Sequence, residues 1–179
     1  MFANVARHEA GHMIACAILR VPVTRIVIWS TERGITSYGR IVGTGRRTNR
    51  RLRRKRAAIF ARIVIAGPLS ERIPDGRSDR QVLNEMREAE VDDTHPFWRD
   101  AGPFRKCIDT YSLSEKRAAR DARHLLRRKG RAVLALAREI ETRCGDVARR
   151  HGVPHPGSKT PIISLNEAEA AALVRSALG

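Results

Sequence analysis

Hydrophobic and polar positions along the chain follow two periods in turn. Val5, His8, His12, Ala15 and Leu19 recur at three- and four-residue steps, which puts them on one helical stripe between Ala3 and Arg20. Asn4 is placed to cap this helix, and Pro22 ends it. The period then shortens. Val23, Thr24, Ile26, Val27 and Ile28 form a β-branched run, and a second extended piece opens at Gly34 and passes through Tyr38, Ile41 and Val42. Together they predict a small antiparallel pair.

Helical spacing returns with Leu52, Ile59, Phe60, Ile63 and Val64, a second long helix from Arg51 to about Ala66 that Gly67-Pro68 kinks or ends. Pro74-Asp75-Gly76 makes a turn, and Ser78 caps a third helix from Asp79 to about Ala89. The stretch from Asp92 to Pro103 reads as a polar, proline-containing connection. Ser112-Leu113-Ser114-Glu115 has the form of a capping box opening a helix to Arg128; Gly130 interrupts, and Ala132 to Arg150 continues with Leu134, Ala137 and Ile140 on one face. Gly152 to Pro161 is a turn-rich linker, and a second box, Ser164-Leu165-Asn166-Glu167, starts a last helix to about Leu178.

A chain of 179 residues with 42% hydrophobic and only 4% aromatic positions builds its core from aliphatic side chains, which excludes wholesale disorder and disfavours a sandwich or barrel. The expected class is mainly α with a small antiparallel β-element. One domain spans 1–179, with the first helix in 1–20, the β-pair in 23–42, helices in 50–90 and C-terminal helices in 112–179.

Charge adds a second theme. The chain carries 35 Lys plus Arg against 19 Asp plus Glu, a formal net charge of +16, and only five of those cations are lysine. Eight of the eleven positions from Arg46 to Arg56 are basic. Such a run binds phosphates without sequence preference, or it is simply a solvated helix start; the near-absence of interleaved aromatics argues against nucleic-acid binding as the main role. Cys16, Cys107 and Cys144 are an odd number without a C-x-x-C pair, so a disulfide framework and a cysteine-based zinc site are both disfavoured. A reducing, cytoplasmic setting is expected. No apolar run reaches the roughly 20 residues needed to span a bilayer.

The chemistry concentrates at His8-Glu9-Ala10-Gly11-His12, an H-E-x-x-H on a helix. Imidazoles at i and i+4 lie on one face and can grip one ion, while Glu9 serves as the base of a metal-assisted hydrolysis. Zinc is the ion this chemistry calls for, one per chain, polarising a carbonyl and acidifying water. Two histidines do not close the site. His95, His124, His151, His155 and several carboxylates compete for the third position, Glu71, Asp75 and Asp79 among them. Asp79 and Glu71 are attractive on spacing, because chain reversal after the β-pair can return them to the first helix. His151 and His155 flank Pro154 and share no regular helical face.

Val5-Ala6-Arg7-His8-Glu9-Ala10-Gly11-His12, followed by a proline and the strand from Val23 to Ile28, resembles the peptidase half of the FtsH-type ATP-dependent zinc metalloproteases. Ile63-Val64-Ile65-Ala66-Gly67-Pro68-Leu69-Ser70-Glu71 is similar to that family's second-helix signature, and Gly76-Arg77-Ser78-Asp79 to its Gly-x-Ser-x-Asp segment. The closing helices, from Ala118 to Glu141 and Leu165 to Leu173, also resemble the family's. The resemblance implies a zincin-type helical fold, His8, His12 and Asp79 as ligands, and Glu9 as catalytic base. It departs in three respects: Pro68 stands where the family continues its helix, the aspartate segment is one residue shorter, and no G-x-x-x-x-G-K-[ST] phosphate loop occurs. The reading is therefore a zinc metallopeptidase, ATP-independent by itself, acting on flexible protein or peptide segments, or supplied by a separate unfoldase or an acidic partner. Ring-like homo-oligomers are a further implication. The rivals are a basic nucleic-acid-binding protein and a metal-holding scaffold without protease activity.

Overall fold

A computed structural model describes residues 2–29, 34–38, 49–153 and 160–179. Its elements run α1 (Ala3–Ile18), β1 (Val23–Ile28), β2 (Gly34–Tyr38), α2 (Arg50–Arg72), α3 (Asp79–Glu88), α4 (Trp98–Tyr111), α5 (Glu115–Arg128), α6 (Gly130–His151), β3 (Ile163–Asn166) and α7 (Glu167–Leu178). The mainly helical class with a small antiparallel sheet is what the pattern predicts.

Helix α1 lies at the centre because most of it is apolar or small: Val5, Ala6, Ala10, Met13, Ile14, Ala15 and Cys16 are buried. It packs chiefly on α2 and α6. Against α2 the approach is close. A Cβ added to Gly11 would lie 2.5 Å from the Ala66 carbonyl oxygen and from Ser70 Cβ, so only glycine permits this crossing. Helix α2 changes character along its length: residues 50–55 are all exposed, whereas residues 63–71 are all buried. It enters the core as a peg whose outer end stands in water.

The sheet has the order β2-β1-β3, with both neighbours antiparallel to β1. Ile26 is central, facing Thr36 on one side and Leu165 on the other. Strand β3 adds a third strand to the predicted pair, through Ile163 and Leu165, which are buried at alternate positions. Ile41 and Val42 of the expected second strand lie outside the described residues, as do residues 46–48 of the basic run and 154–159 of the expected linker.

Several boundaries differ from expectation. Pro68 does not stop α2, which continues to Arg72; proline removes one backbone donor, and the buried surroundings of residues 63–71 hold the helix through it. The stretch from Asp92 to Pro103 is not all connection, since α4 starts at Trp98 and carries Pro103 within it. Its buried Ala101, Phe104, Cys107 and Ile108 keep helical spacing across that proline. Caps shift as well. Phe2, not Asn4, precedes α1; Ser112 closes α4 in a left-handed conformation, leaving Ser114 to accept from the Arg117 N–H. Asn166, the last residue of β3, caps α7 in a box with Glu169, while Ser164 lies within the strand.

Candidate metal centre

The antiparallel crossing of α1 and α2 decides how the two imidazoles are held. His12 Nδ1–H donates to the Ile63 carbonyl oxygen at 2.8 Å, which leaves the lone pair on Nε2. His8 Nδ1–H donates to Glu71 Oε2 at 3.2 Å. Both rings are thus gripped from behind by α2, and their Nε2 atoms come within 3.1 Å of one another.

The carboxylate that joins them is Asp100. Its Oδ2 lies 2.8 Å from His8 Nε2 and 3.5 Å from His12 Nε2. Among the described residues His8, His12 and Asp100 form the group of possible metal donors, their ligand atoms all within 4.8 Å of one another. Asp100 sits in the first turn of α4, and Phe97 at the N-cap of that helix stacks on the His8 ring with centroids 5.8 Å apart.

Asp79 is not part of this group. It begins α3, where Arg123 Nε donates to its Oδ1, so a partner on α5 holds it. The physical reason for the exchange is α4: once Phe97, Ala101 and Phe104 are packed as a helix, Asp100 is delivered to the imidazoles. Glu71 stands behind His8 on Nδ1, and Asp75 lies 3.8 Å from Arg72. His95 packs edge-on against Phe97 and accepts from the Phe97 N–H; His151 ends α6 in an exposed position, and His155 lies outside the described residues.

Glu9 is 2% exposed and faces strand β2. Thr36 Oγ1 donates to its Oε2 at 2.5 Å, and a Cβ on Gly34 would come within 2.5 Å of its Oε1. Burial raises the Glu9 carboxyl above its ordinary value, opposed by the positive character of His8 and His12 and by the Thr36 hydroxyl. Burial alone would lower the His8 imidazole, but the hydrogen bonds it donates to Asp100 and Glu71 outweigh it and push it up to about 10. Asp100 shows the reverse balance: burial pushes it up, and the charges and hydrogen bonds of His12 and His8 leave it well below the usual carboxylate range.

Does this set fit an ion? Donors sharing one tetrahedral zinc lie about 3.3 Å apart for bonds of about 2.0–2.1 Å, and the three separations of 3.1, 2.8 and 3.5 Å bracket that value. Gly67 supplies the room: a Cβ there would collide with His12 Nε2 and with His8 Nε2. Two imidazole nitrogens, one carboxylate and outer partners on both Nδ1 atoms are the donor set and the support that zinc sites use. The Asp100, Thr36 and Gly34 contributions were not apparent from sequence. The one available signal for Asp100 was the apolar spacing of Phe97, Ala101 and Phe104, which Pro103 masked.

No protein-family model matches the chain, and no curated protein matches it.

Proposed function

We propose that the protein is a zinc-dependent metallopeptidase holding one ion per chain between His8, His12 and Asp100, with Glu9 as its base. The observation that carries this reading is the convergence of both Nε2 atoms and Asp100 Oδ2 on the space beside Gly67, with Glu9 one residue from His8 on the same helix. An ion bound there supplies Lewis-acid polarisation of a peptide carbonyl and lowers the pKa of water toward about 7.

The chain's own residues do the rest. Glu71 and the Ile63 carbonyl fix the two rings in the tautomer that keeps Nε2 free for coordination. Glu9 takes a proton from water at its carboxylate and returns it to the departing amine, and burial, which raises its carboxyl above the ordinary value, makes it a stronger base for the first of these transfers. Thr36 holds one Glu9 oxygen, which restricts the carboxylate to one orientation. Strand β2 is at the edge of the described sheet, and its Gly34 and Thr36 touch Glu9. A peptide added to that edge in extended form passes close to the base, so flexible segments are the substrate class this reading favours. The FtsH-type resemblance, a cytoplasmic setting and dependence on a separate unfoldase for folded substrates belong to the same proposal.

The test is metal analysis of the purified protein with a cleavage assay on an unstructured protein such as casein. Chelator should stop cleavage and zinc restore it. Glu9→Gln should retain one zinc per chain while cleavage falls by at least a hundredfold. A protein that binds zinc but cleaves nothing, in parent and variant alike, is a metal-holding scaffold instead.

A further inference from the structure

The inner end of α2 closes on a side chain that reaches α3 and α4. Arg72 is the last residue of α2 and is half-buried. Its Nε donates to Glu85 Oε2 on α3 at 2.9 Å. Its Nη1 lies 3.5 Å from Glu71 Oε1, and its guanidinium carbon lies 5.2 Å from the centre of the Phe97 ring. Asp75 is a more distant partner at 3.8 Å. Glu71 and Phe97 are also the groups that hold the His8 ring at places other than Nε2. Glu71 Oε2 accepts from Nδ1–H at 3.2 Å, and the Phe97 ring stacks on the imidazole with centroids 5.8 Å apart. The Glu71 carboxylate is therefore engaged at both oxygens, Oε1 by Arg72 and Oε2 by His8. Phe97 is the N-cap of α4, the helix whose first turn carries Asp100.

We propose that Arg72 is a positioning residue of the metal centre, holding Glu71 and Phe97 so that His8 Nε2 stays where His12 Nε2 and Asp100 Oδ2 meet it. A cation in the last turn of a helix complements the macrodipole whatever its shape. The contacts of Arg72 ask for more than charge: Nε, Nη1 and the guanidinium carbon each face a different partner on a different residue. A planar fork meets all three at once, and the point charge of a lysine does not. Without the fork, Glu71 Oε1 loses its cation and the carboxylate is free to turn away from His8 Nδ1. Phe97, and with it the start of α4, loses a second hold. Groups that orient a ligating imidazole change metal affinity by about 10- to 100-fold when removed. Arg72 stands one contact further out but acts by two routes. The inference rests on the reading that His8, His12 and Asp100 hold one ion, and it does not require peptide cleavage.

The experiment is a zinc competition titration of the full chain against a chromophoric chelator, on variants that circular dichroism shows to be folded. Arg72→Met keeps the aliphatic stem and removes the fork, and zinc affinity should fall about tenfold. Arg72→Lys keeps the charge and should recover less than half of that loss on a logarithmic scale. Arg123→Met removes a comparably buried ion pair, the one to Asp79 at the start of α3, and should leave zinc affinity within about twofold of the parent's. A double-mutant cycle separates positioning from general loosening. On a Glu71→Gln background, Arg72→Met should cost about threefold rather than tenfold, because Phe97 alone then transmits it, whereas independent effects would multiply. Should Arg72→Met fail to fold, Glu85→Gln takes its place; by loosening the hold on Nε it should lose about threefold. The proposal is overturned if Arg72→Met, or Glu85→Gln in its place, binds zinc as the parent does. It is equally overturned if Arg123→Met loses as much, or if the cost of Arg72→Met is the same with and without Glu71→Gln. In each of these outcomes a parent that binds zinc keeps the metal centre and only Arg72 loses its role; a parent that binds no zinc removes both.

Discussion

Asp100 and Asp79 differ by their neighbours rather than by their chemistry. Asp100 is half-buried against two imidazoles, whereas Asp79 is paired with Arg123. Asp100→Ala should cut bound zinc by more than tenfold, measured by metal analysis after dialysis. Asp79→Ala should leave zinc unchanged and cost about 1 kcal/mol of stability, since it removes an ion pair and an acid from the first turn of α3. Loss of zinc in the second variant alone would restore Asp79 as a ligand. Thr36 offers a companion test. Thr36→Val keeps the shape but withdraws the donor from Glu9, and Thr36→Ser keeps the donor but sheds the methyl. If the hydroxyl positions the base, cleavage should fall roughly tenfold to a hundredfold in the valine variant and stay within a few-fold of parent in the serine variant, with KM little changed. The opposite order would mean that Thr36 matters for packing alone.

At the scale of elements, the site is a product of the α1–α2 crossing. Gly11 lets the helices approach, and Gly67 leaves the space where the Nε2 atoms meet. Gly11→Ala forces the backbone of α2 away and should cost about 1–3 kcal/mol in chemical denaturation. Gly67→Ala collides with the two imidazole side chains rather than with backbone, so zinc binding should be lost in a protein that still folds. Equal destabilisation by both, with zinc retained after Gly67→Ala, would show that the rings do not occupy that space. Two elements extend past the bounds their pattern predicts for one reason: Pro68 and Pro103 each lie inside a helix. Proline forbids a single hydrogen bond locally, and that penalty is outweighed when flanking side chains are buried on helical spacing. The HExxH helix itself was legible because period, chemistry and termination by Pro22 all agree.

For the whole molecule, the metal-free state carries a protonated His8 between two carboxylates, and its pH response follows from that. The His8 pKa is about 10 in the folded chain, against about 6.5 unfolded. A raised pKa contributes stability that is complete below the unfolded value and declines as pH rises through the folded one. Metal-free protein should therefore lose stability between about pH 7 and pH 10 in denaturant titrations. Asp100 acts in the other direction, stabilising above its unfolded pKa of about 3.9 and losing that contribution as pH falls below it. Zinc requires His8 neutral, so binding at pH 7 should release close to one proton per ion, measurable by calorimetry in buffers of different ionisation enthalpy. No proton release would mean that His8 is already neutral or is not a ligand.

Sequence by itself determined what local rules govern. The i, i+4 histidines with their glutamate share a helical face, β-branched runs make strands, and an arginine run caps one end of a helix with charge; each follows from spacing within a few residues. Only the tertiary structure decided which carboxylate meets the two imidazoles, that Glu71 and a backbone carbonyl hold the rings, and that Thr36 reaches Glu9. Those pairings join residues 92, 63, 51 and 27 positions apart. Local periodicity carries no information about such distances, because they are set by how closely two glycines allow helices and side chains to approach.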